Sequence, residues 1–335
     1  MIERFTTRVR RSPVRYGLWA VCGLLVLVLA ISNLGGYAGF LTFRSGLERA
    51  LAPAPTGRVT EYAWSFPFQE SRCMVSITVD EAELEAADRV PTGAIFGTDG
   101  WLRRRYVSEL VRAQAASPVI DRLAVEFRSI RDERSLSDDE YLELMVAGIQ
   151  AIPYGDPAED TMLAAEVLAR GRGVCTDKSL LLGSLLVHEG YDTVLWVFST
   201  QRHVALGVAS DAAQYRSSGY AFVETTMPSF VGQTAAEYRA AGPVVRPPAT
   251  VFLGGERSYG AGEQVEVILA ELRRLQAVSM MADGYASYAR TSTQHRERYA
   301  ARAMEQWVAD ATATYILTNT FDRPGVYALV APGAP

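Results

Sequence analysis

The segment from Gly171 to Ser179, with the sequence GRGVCTDKS, constrains the fold more than any other part of this 335-residue chain. Glycine tolerates the positive φ angles of tight turns, so the two glycines ahead of the cysteine predict a turn. Leucines follow at helical spacing, at positions 181, 182, 185 and 186. This pattern predicts a buried helix whose first turn contains Thr176 and Asp177. Cys175 is then expected at or next to the helix N-terminus.

A cysteine at a helix N-terminus is expected to ionise readily. Unpaired N–H groups and the positive end of the helix dipole favour the thiolate, which is the nucleophilic form. We expect Asp177 to cap N–H groups of the glycine turn rather than to serve as a catalytic acid. The competing interpretation is that Cys175 is a small buried apolar residue, which is the commonest role of a lone cysteine.

A thiolate nucleophile needs a base, and the chain contains three histidines. His188 lies in a polar stretch that predicts a solvated helix end, and His295 lies in a charged stretch. His203 instead opens the run HVALGV, which predicts a buried strand. Glu224 lies near the end of the next predicted strand, at residues 220–225. Cysteine, then histidine at a strand start, then an acid at a strand end is the order of a cysteine triad.

The sequence therefore predicts that Cys175 is the nucleophile, that His203 is the base and that Glu224 orients the imidazole. For His203 the alternative is a core histidine that is hydrogen-bonded to backbone. For Glu224 the alternative is a solvated carboxylate at a strand end.

These motifs resemble the transglutaminase-like superfamily, most closely its membrane-anchored microbial members. The resemblance rests on IPY at 152–154, GVCTD at 173–177, GYD at 190–192, HVALGV at 203–208 and FVETT at 222–226. It implies a papain-like α+β fold, in which the helix that carries the cysteine packs on an antiparallel sheet. It also implies a Cys-His-Asp triad, matched here by Cys175, His203 and Glu224. Two positions depart from the pattern, because Glu224 replaces an aspartate and Ala205 stands where many related sequences carry tryptophan.

Composition excludes several other classes of function. The net charge is −5 with no basic block beyond the N-terminus, which argues against nucleic acid as the main partner. Cys22, Cys73 and Cys175 are far apart, without a CxxC motif or a Cys/His cluster. This spacing argues against a structural zinc site and against a disulfide framework. We expect no cofactor and no metal, and the oligomeric state stays open.

The N-terminus predicts a membrane anchor. Residues 1–15 carry five arginines and one glutamate, and an uncharged run then extends from Tyr16 to Phe43. Because a helix needs about 20 apolar residues to cross a bilayer, a transmembrane helix is expected at 16–38. The arginines place residues 1–15 in the cytoplasm and the rest of the chain outside it. A cleaved signal peptide is the alternative, since Gly36-Tyr37-Ala38 offers small residues at cleavage spacing.

The rest of the chain divides into four predicted segments. They are a linker at 39–58, a hairpin with helices at 59–136, a transglutaminase-like catalytic domain at 137–250 and a helical segment at 251–335. Strands are predicted at 59–66, 73–80, 194–198, 203–208 and 220–225. Helices are predicted at 81–88, 102–116, 120–131 and 162–169. Ser137 followed by Glu140 predicts one more helix start, and Pro153 ends that helix.

The predicted triad indicates acyl transfer through a thioester. Cys175 attacks an amide carbonyl of a protein or peptide, His203 protonates the leaving amine and then activates the acceptor, and Glu224 holds the imidazole. An amine acceptor gives a crosslink and water gives hydrolysis, and the triad leaves both open. The alternative from a different class is a non-catalytic domain whose cleft binds peptide.

The predicted topology is testable in intact cells. Protease added outside should degrade the chain beyond Phe43 and spare a tag fused to the N-terminus, because the arginines keep that end in the cytoplasm. Immunoblotting for the two ends measures this. A tag that is digested from outside would instead put the catalytic domain in the cytoplasm.

Overall fold

The computed structural model describes residues 44–68, 71–92, 100–157, 160–227, 229–234, 247–263 and 266. The basic N-terminus, the predicted transmembrane helix at 16–38 and most of the predicted helical segment at 251–335 lie outside these residues. Within them, no helix combines the length and the apolar character that a membrane crossing requires.

The described residues form an α+β structure, as the sequence predicts. Its elements are β1 (Val59–Phe68), β2 (Ser71–Asp80), α1 (Glu81–Asp88), α2 (Trp101–Ala115), α3 (Pro118–Arg134), α4 (Asp138–Gln150), α5 (Ala164–Arg170), α6 (Cys175–His188), β3 (Thr193–Phe198), β4 (His203–Ala209), β5 (Tyr220–Val223) and β6 (Ala249–Gly254). A short 3₁₀ turn at Tyr215–Ser217 precedes β5.

β1 and β2 form the predicted hairpin. The two strands pair antiparallel along their whole length, from Val59 opposite Asp80 to Phe68 opposite Ser71. Apolar and polar residues alternate along β2, and successive side chains of a strand point to opposite faces. One face of the strand is therefore apolar. Its apolar members are buried, namely Val75, Ile77 and Val79.

The N-terminus of α4 has the predicted capping box. The Ser137 hydroxyl accepts a hydrogen bond from the Glu140 N–H at 3.3 Å, and the Glu140 carboxylate accepts one from the Ser137 N–H at 2.8 Å. Two N–H groups that the helix leaves free are thereby satisfied. The helix ends at Gln150, shortly before Pro153, as expected.

α6 is the buried helix that the leucine pattern predicts. Every residue from Cys175 to Leu186 is buried, including the polar ones. Its closest approach to the sheet is at Gly183, where an added Cβ would lie 3.2 Å from a methyl of Leu253 and 3.3 Å from one of Leu206. The small residue thus lets the helix lie directly on β4 and β6.

The antiparallel sheet has the strand order β5-β4-β3-β6. The sequence did not predict β6, and the sheet continues past residue 250, where the helical segment was expected to begin. β6 pairs with β3, with Phe252 opposite Val194. Val251 and Leu253 are buried and Phe252 is exposed, which is the period-2 pattern of a half-buried strand.

Side chains from α2 bind the outer part of β6. The Ser108 hydroxyl donates to the carbonyl oxygen of Phe252 at 2.8 Å. The Arg112 guanidinium donates from Nε to the carbonyl oxygen of Leu253, also at 2.8 Å. The last part of this edge strand is therefore covered by a helix.

The turn ahead of α6 requires glycine at position 171, and this requirement can be tested. This residue has a φ of +61°, and an added Cβ would lie 2.3 Å from Cε2 of Tyr62. Gly219 has a φ of +84° with no atom within 4 Å of an added Cβ, so it is the matched control. We expect Gly219→Ala to lower the free energy of unfolding by about 1–2 kcal/mol through backbone strain alone. Gly171→Ala should lower it by roughly 3 kcal/mol or more, because the steric clash is added.

Urea denaturation of the purified full chain measures both losses. Equal losses in the two variants would contradict the prediction, since they would mean that the Tyr62 ring moves aside at no cost.

Candidate active site

Cys175 is the first residue of α6 and is 7% exposed. The turn ahead of it is tied down by Asp177, whose carboxylate accepts hydrogen bonds from the N–H of Val174 at 2.9 Å and of Met162 at 3.0 Å. The predicted capping role of Asp177 is confirmed. The thiol therefore lies at the positive end of the helix dipole, in a turn with fixed geometry.

His203 is the first residue of β4, as predicted, and it lies between the other two candidate residues. Its Nε2 is 3.0 Å from Oε2 of Glu224, and the two side chains are 11% and 7% exposed. The imidazole also interacts with the Cys175 thiol, since each group shifts the pKa of the other. Because Nε2 binds the carboxylate, Nδ1 is the nitrogen that is left for the sulfur. The structure thus brings Cys175, His203 and Glu224 together in the order that the sequence predicts.

Glu224 follows β5 directly, and its side chain folds back on the next two residues. Its Oε1 accepts hydrogen bonds from the N–H groups of Thr225 and Thr226, each at 2.9 Å, and from the Thr226 hydroxyl at 2.7 Å. Its Oε2 is left for His203. The glutamate side chain thus reaches His203 with one oxygen while the residues next to it hold the other.

The electrostatics of the three groups favour an ion pair. Burial would raise the pKa of the Cys175 thiol, but hydrogen bonds from His203 and from the Val204 N–H, together with the imidazolium charge, bring it below its ordinary value. Burial would also raise the pKa of Glu224, and its bonds to His203 and Thr226 lower it instead.

The imidazole shifts in the opposite direction. Burial would lower the pKa of His203, but hydrogen bonds to Cys175 and Glu224 and their negative charges raise it to about 9. A thiol pKa that falls while the imidazole pKa rises favours transfer of the thiol proton to the imidazole, which gives thiolate and imidazolium. This is the ionisation state that nucleophilic attack needs.

Sequence reasoning missed the buried polar groups that support the triad. Lys178 is fully buried, and its Nζ donates to the carbonyl oxygens of Gln150 at 3.0 Å and Ile152 at 2.7 Å. Burial lowers the pKa of Lys178 to about 8, against the opposing effect of the Glu224 charge. The Gln150 amide in turn donates to the carbonyl oxygen of Glu224 at 2.9 Å.

Ser179 makes a second connection of the same kind. Its hydroxyl donates to the carbonyl oxygen of Val204 at 3.2 Å and lies 3.0 Å from the Thr225 hydroxyl. It therefore joins α6 to the residues next to His203 and Glu224. The sequence signal for both connections is the polar run from Thr176 to Ser179 in a helix that is otherwise apolar, because buried polar groups need partners.

The structure also explains Ala205. This residue is fully buried and lies opposite Trp196 on β3. The Trp196 indole covers Gly207, where an added Cβ would lie 2.7 Å from the ring, and it stacks on Phe222 with centroids 5.7 Å apart. The side chain of Trp196, from the neighbouring strand, thus fills the face of the sheet beside Ala205.

Of the other histidines and cysteines, the structure describes His188 and Cys73, and neither joins the site. His188 ends α6, about 20 Å along the helix from Cys175. Its Nδ1 donates to the carbonyl oxygen of Ala115 at 2.7 Å, so this helix end is less solvated than the sequence predicts. Cys73 lies 3.0 Å from an Arg134 nitrogen, and burial raises the pKa of its thiol. His295 and Cys22 lie outside the described residues.

No protein-family model, curated protein or solved structure matches this chain. The functional interpretation therefore rests on the motifs and on the geometry of the site.

The opposite pKa shifts of the two described cysteines give a direct test. We expect Cys175 to alkylate with an apparent pKa below that of an ordinary thiol, and Cys73 with one above it. His203→Ala should raise the apparent pKa of Cys175, because the imidazolium is lost. Glu224→Gln should raise the apparent pKa of Cys175 less, since the imidazolium remains and only loses the stabilisation that the carboxylate gives it.

The measurement is the rate of iodoacetamide labelling of each cysteine against pH, followed by mass spectrometry on the full chain in mild detergent. Cys73 is the internal control. The ion pair would be refuted if Cys175 reacted no faster than Cys73 and His203→Ala left its rate unchanged.

Proposed function

We propose that this protein is a membrane-anchored enzyme of the transglutaminase-like type, which transfers an acyl group from an amide of a protein or peptide through a thioester on Cys175. The proposal rests on one observation: a thiol at the N-terminus of a buried helix interacts with an imidazole that is hydrogen-bonded to a buried carboxylate. The positions of the three residues support a papain-like core, because they lie at the start of α6, at the start of β4 and directly after β5.

The first half of the reaction forms the thioester. The Cys175 thiolate attacks the amide carbonyl, and the carbonyl electron pair moves to oxygen. When that pair returns, the C–N bond breaks and the imidazolium of His203 gives its proton to the leaving amine. Glu224 stabilises the imidazolium before that transfer and keeps the ring oriented.

The second half consumes the thioester. Neutral His203 takes a proton from the acceptor, which attacks the thioester carbonyl, and Cys175 leaves as thiolate. Water as acceptor gives a carboxylic acid, and a primary amine gives a new amide. Both outcomes use the same three residues, so hydrolysis and crosslinking are both within the proposal.

The proposed location follows from the N-terminal sequence. The arginines at 1–15 and the uncharged run from Tyr16 to Phe43 support a single-pass anchor with a cytoplasmic N-terminus. The catalytic domain then acts outside the cytoplasm, on proteins or peptides of that compartment.

Acylation of Cys175 tests the chemistry without knowledge of the natural substrate. The full chain is treated with p-nitrophenyl acetate, and the expected result is release of p-nitrophenolate with an acetyl group on Cys175, located by mass spectrometry. Cys175→Ser should abolish this reaction and Cys73→Ser should leave it intact. His203→Ala should slow it at neutral pH by about 10²-fold or more, since less thiolate is present.

An amide reaction completes the test. Dimethylcasein and a labelled primary amine are the probes, so that incorporated label reports transfer and new peptide N-termini report hydrolysis. Because the leaving amine needs the proton of His203, either rate should fall as the pH rises through about 9, where that proton is lost. Ester acylation should not fall there, since nitrophenolate leaves without a proton.

The outcome against the proposal is a chain that forms no acetyl-enzyme and reacts with neither amide probe. The non-catalytic peptide-binding domain would then be the better interpretation.

A further inference from the structure

Gln150 is the last residue of α4 and is 5% exposed. Its side-chain amide donates to two carbonyl oxygens, that of Glu224 at 2.9 Å and that of Ser229 at 3.1 Å. Its Oε1 accepts a hydrogen bond from the Ser229 N–H at 3.3 Å. The amide thus uses both its donors and its acceptor, and this one side chain closes the loop that runs from residue 224 to residue 229.

This loop depends on the amide because the pairing of β5 with β4 stops short of the triad. The last pair of the two strands is Val223 with Leu206, whereas β4 begins three residues earlier, at His203. Glu224 is buried and lies just beyond this last pair. A buried backbone carbonyl needs a hydrogen-bond donor, and the Gln150 amide supplies the bond that a neighbouring strand would supply within a sheet.

The backbone of this loop determines where the carboxylate of Glu224 can reach. Its Oε1 is held by the N–H groups of Thr225 and Thr226, which belong to the same loop. Its Oε2 binds Nε2 of His203 at 3.0 Å. Because the loop and the carboxylate are bound to each other, a displaced loop would carry the carboxylate away from the imidazole. We propose that Gln150 is a positioning residue of the active site, which holds this loop so that the carboxylate meets His203.

Gln150 also joins the two halves of the site. Its own carbonyl oxygen accepts a hydrogen bond at 3.0 Å from Nζ of Lys178, which lies on the helix that begins with Cys175. The main chain of Gln150 is thus bound to the helix of the nucleophile, and its side chain is bound to the loop of the acid. A substitution of the side chain leaves the Lys178 bond in place, so only the acid loses a support. The inference rests on the proposed function, since it concerns the same triad.

Gln150→Met tests this role, because methionine has a similar length and carries no amide. Without its bonds to the loop, the carboxylate should stabilise the imidazolium of His203 less well. We therefore expect the apparent pKa of Cys175 alkylation to rise. Acetylation by p-nitrophenyl acetate at neutral pH should slow by about tenfold, which is less than for loss of His203 because the imidazole is still present.

The alkylation rate at high pH separates this role from damage to the nucleophile. Above the apparent pKa the thiol is fully ionised in both proteins, and a thiolate of higher pKa is the stronger nucleophile. Iodoacetamide should therefore alkylate Cys175 of Gln150→Met there no more slowly than it alkylates the wild type. Urea denaturation of the full chain checks that the variant is folded. If it is not, Gln150→Asn replaces it, since its amide is one methylene too short to reach both loop carbonyls, and the same rise is expected.

Gln114→Met is the matched control. Gln114 is 1% exposed, and its Oε1 accepts a hydrogen bond from the Ala164 N–H at 2.8 Å, at the start of α5. This variant also loses a buried amide, but it should leave the apparent pKa of Cys175 and the acetylation rate unchanged.

Two results would overturn the positioning role of Gln150. One is an apparent pKa of Cys175 that stays at the wild-type value in Gln150→Met. The other is an equal rise in Gln114→Met, because loss of any buried amide would then disturb the thiol. A rise confined to Gln150→Met, in a chain that forms no acetyl-enzyme, would instead support the positioning role and count against the proposed acyl transfer alone.

Discussion

The candidate active site depends on the hydrogen bonds of the buried ammonium group of Lys178. A charge without water is stable only where polar groups replace its hydration, and the carbonyl oxygens of Gln150 and Ile152 do so at 3.0 and 2.7 Å. The Gln150 carbonyl ends α4, where a helix has unpaired acceptors and the negative end of its dipole, and the Ile152 carbonyl follows two residues later. One ammonium group therefore satisfies the end of α4 and the segment that follows it. It comes from the helix that begins with Cys175, so these two bonds tie the helix of the nucleophile to the end of α4.

The neighbours of Lys178 extend this arrangement to the rest of the triad. Asp177 holds the turn ahead of α6, and Ser179 binds the strand that begins with His203. Gln150 binds the backbone of Glu224, which brings the third residue to the end of α4. Loss of any one partner would leave a buried polar group unpaired, at a cost of about 1–3 kcal/mol. The geometry of the site and the stability of the core are thus coupled, and the reacting groups are in place before a substrate binds.

Local patterns in the sequence predict much of this fold. The alternation in β2, the Ser137–Glu140 capping box and the leucines of α6 each encode their structure within a few residues. The order of the triad predicts which three side chains meet, because a helix start and two strand ends were recognisable. β6 was missed because Pro247 and Pro248 precede it and its partner β3 lies more than fifty residues earlier. The partners of Lys178 likewise lie far from it in the sequence, and a single sequence gives no register between such distant segments.

The bonds from α2 to β6 have a consequence for how this sheet meets other chains. An exposed edge strand offers unpaired carbonyl and N–H groups on which a foreign strand can add. Ser108 and Arg112 occupy the carbonyls of Phe252 and Leu253, and the guanidinium adds a charge at the same place. A strand approaching this part of the edge would have to displace both donors and leave a cation facing its backbone. The helix thereby disfavours addition of a further strand, from a second copy or an extended peptide, at this part of the edge.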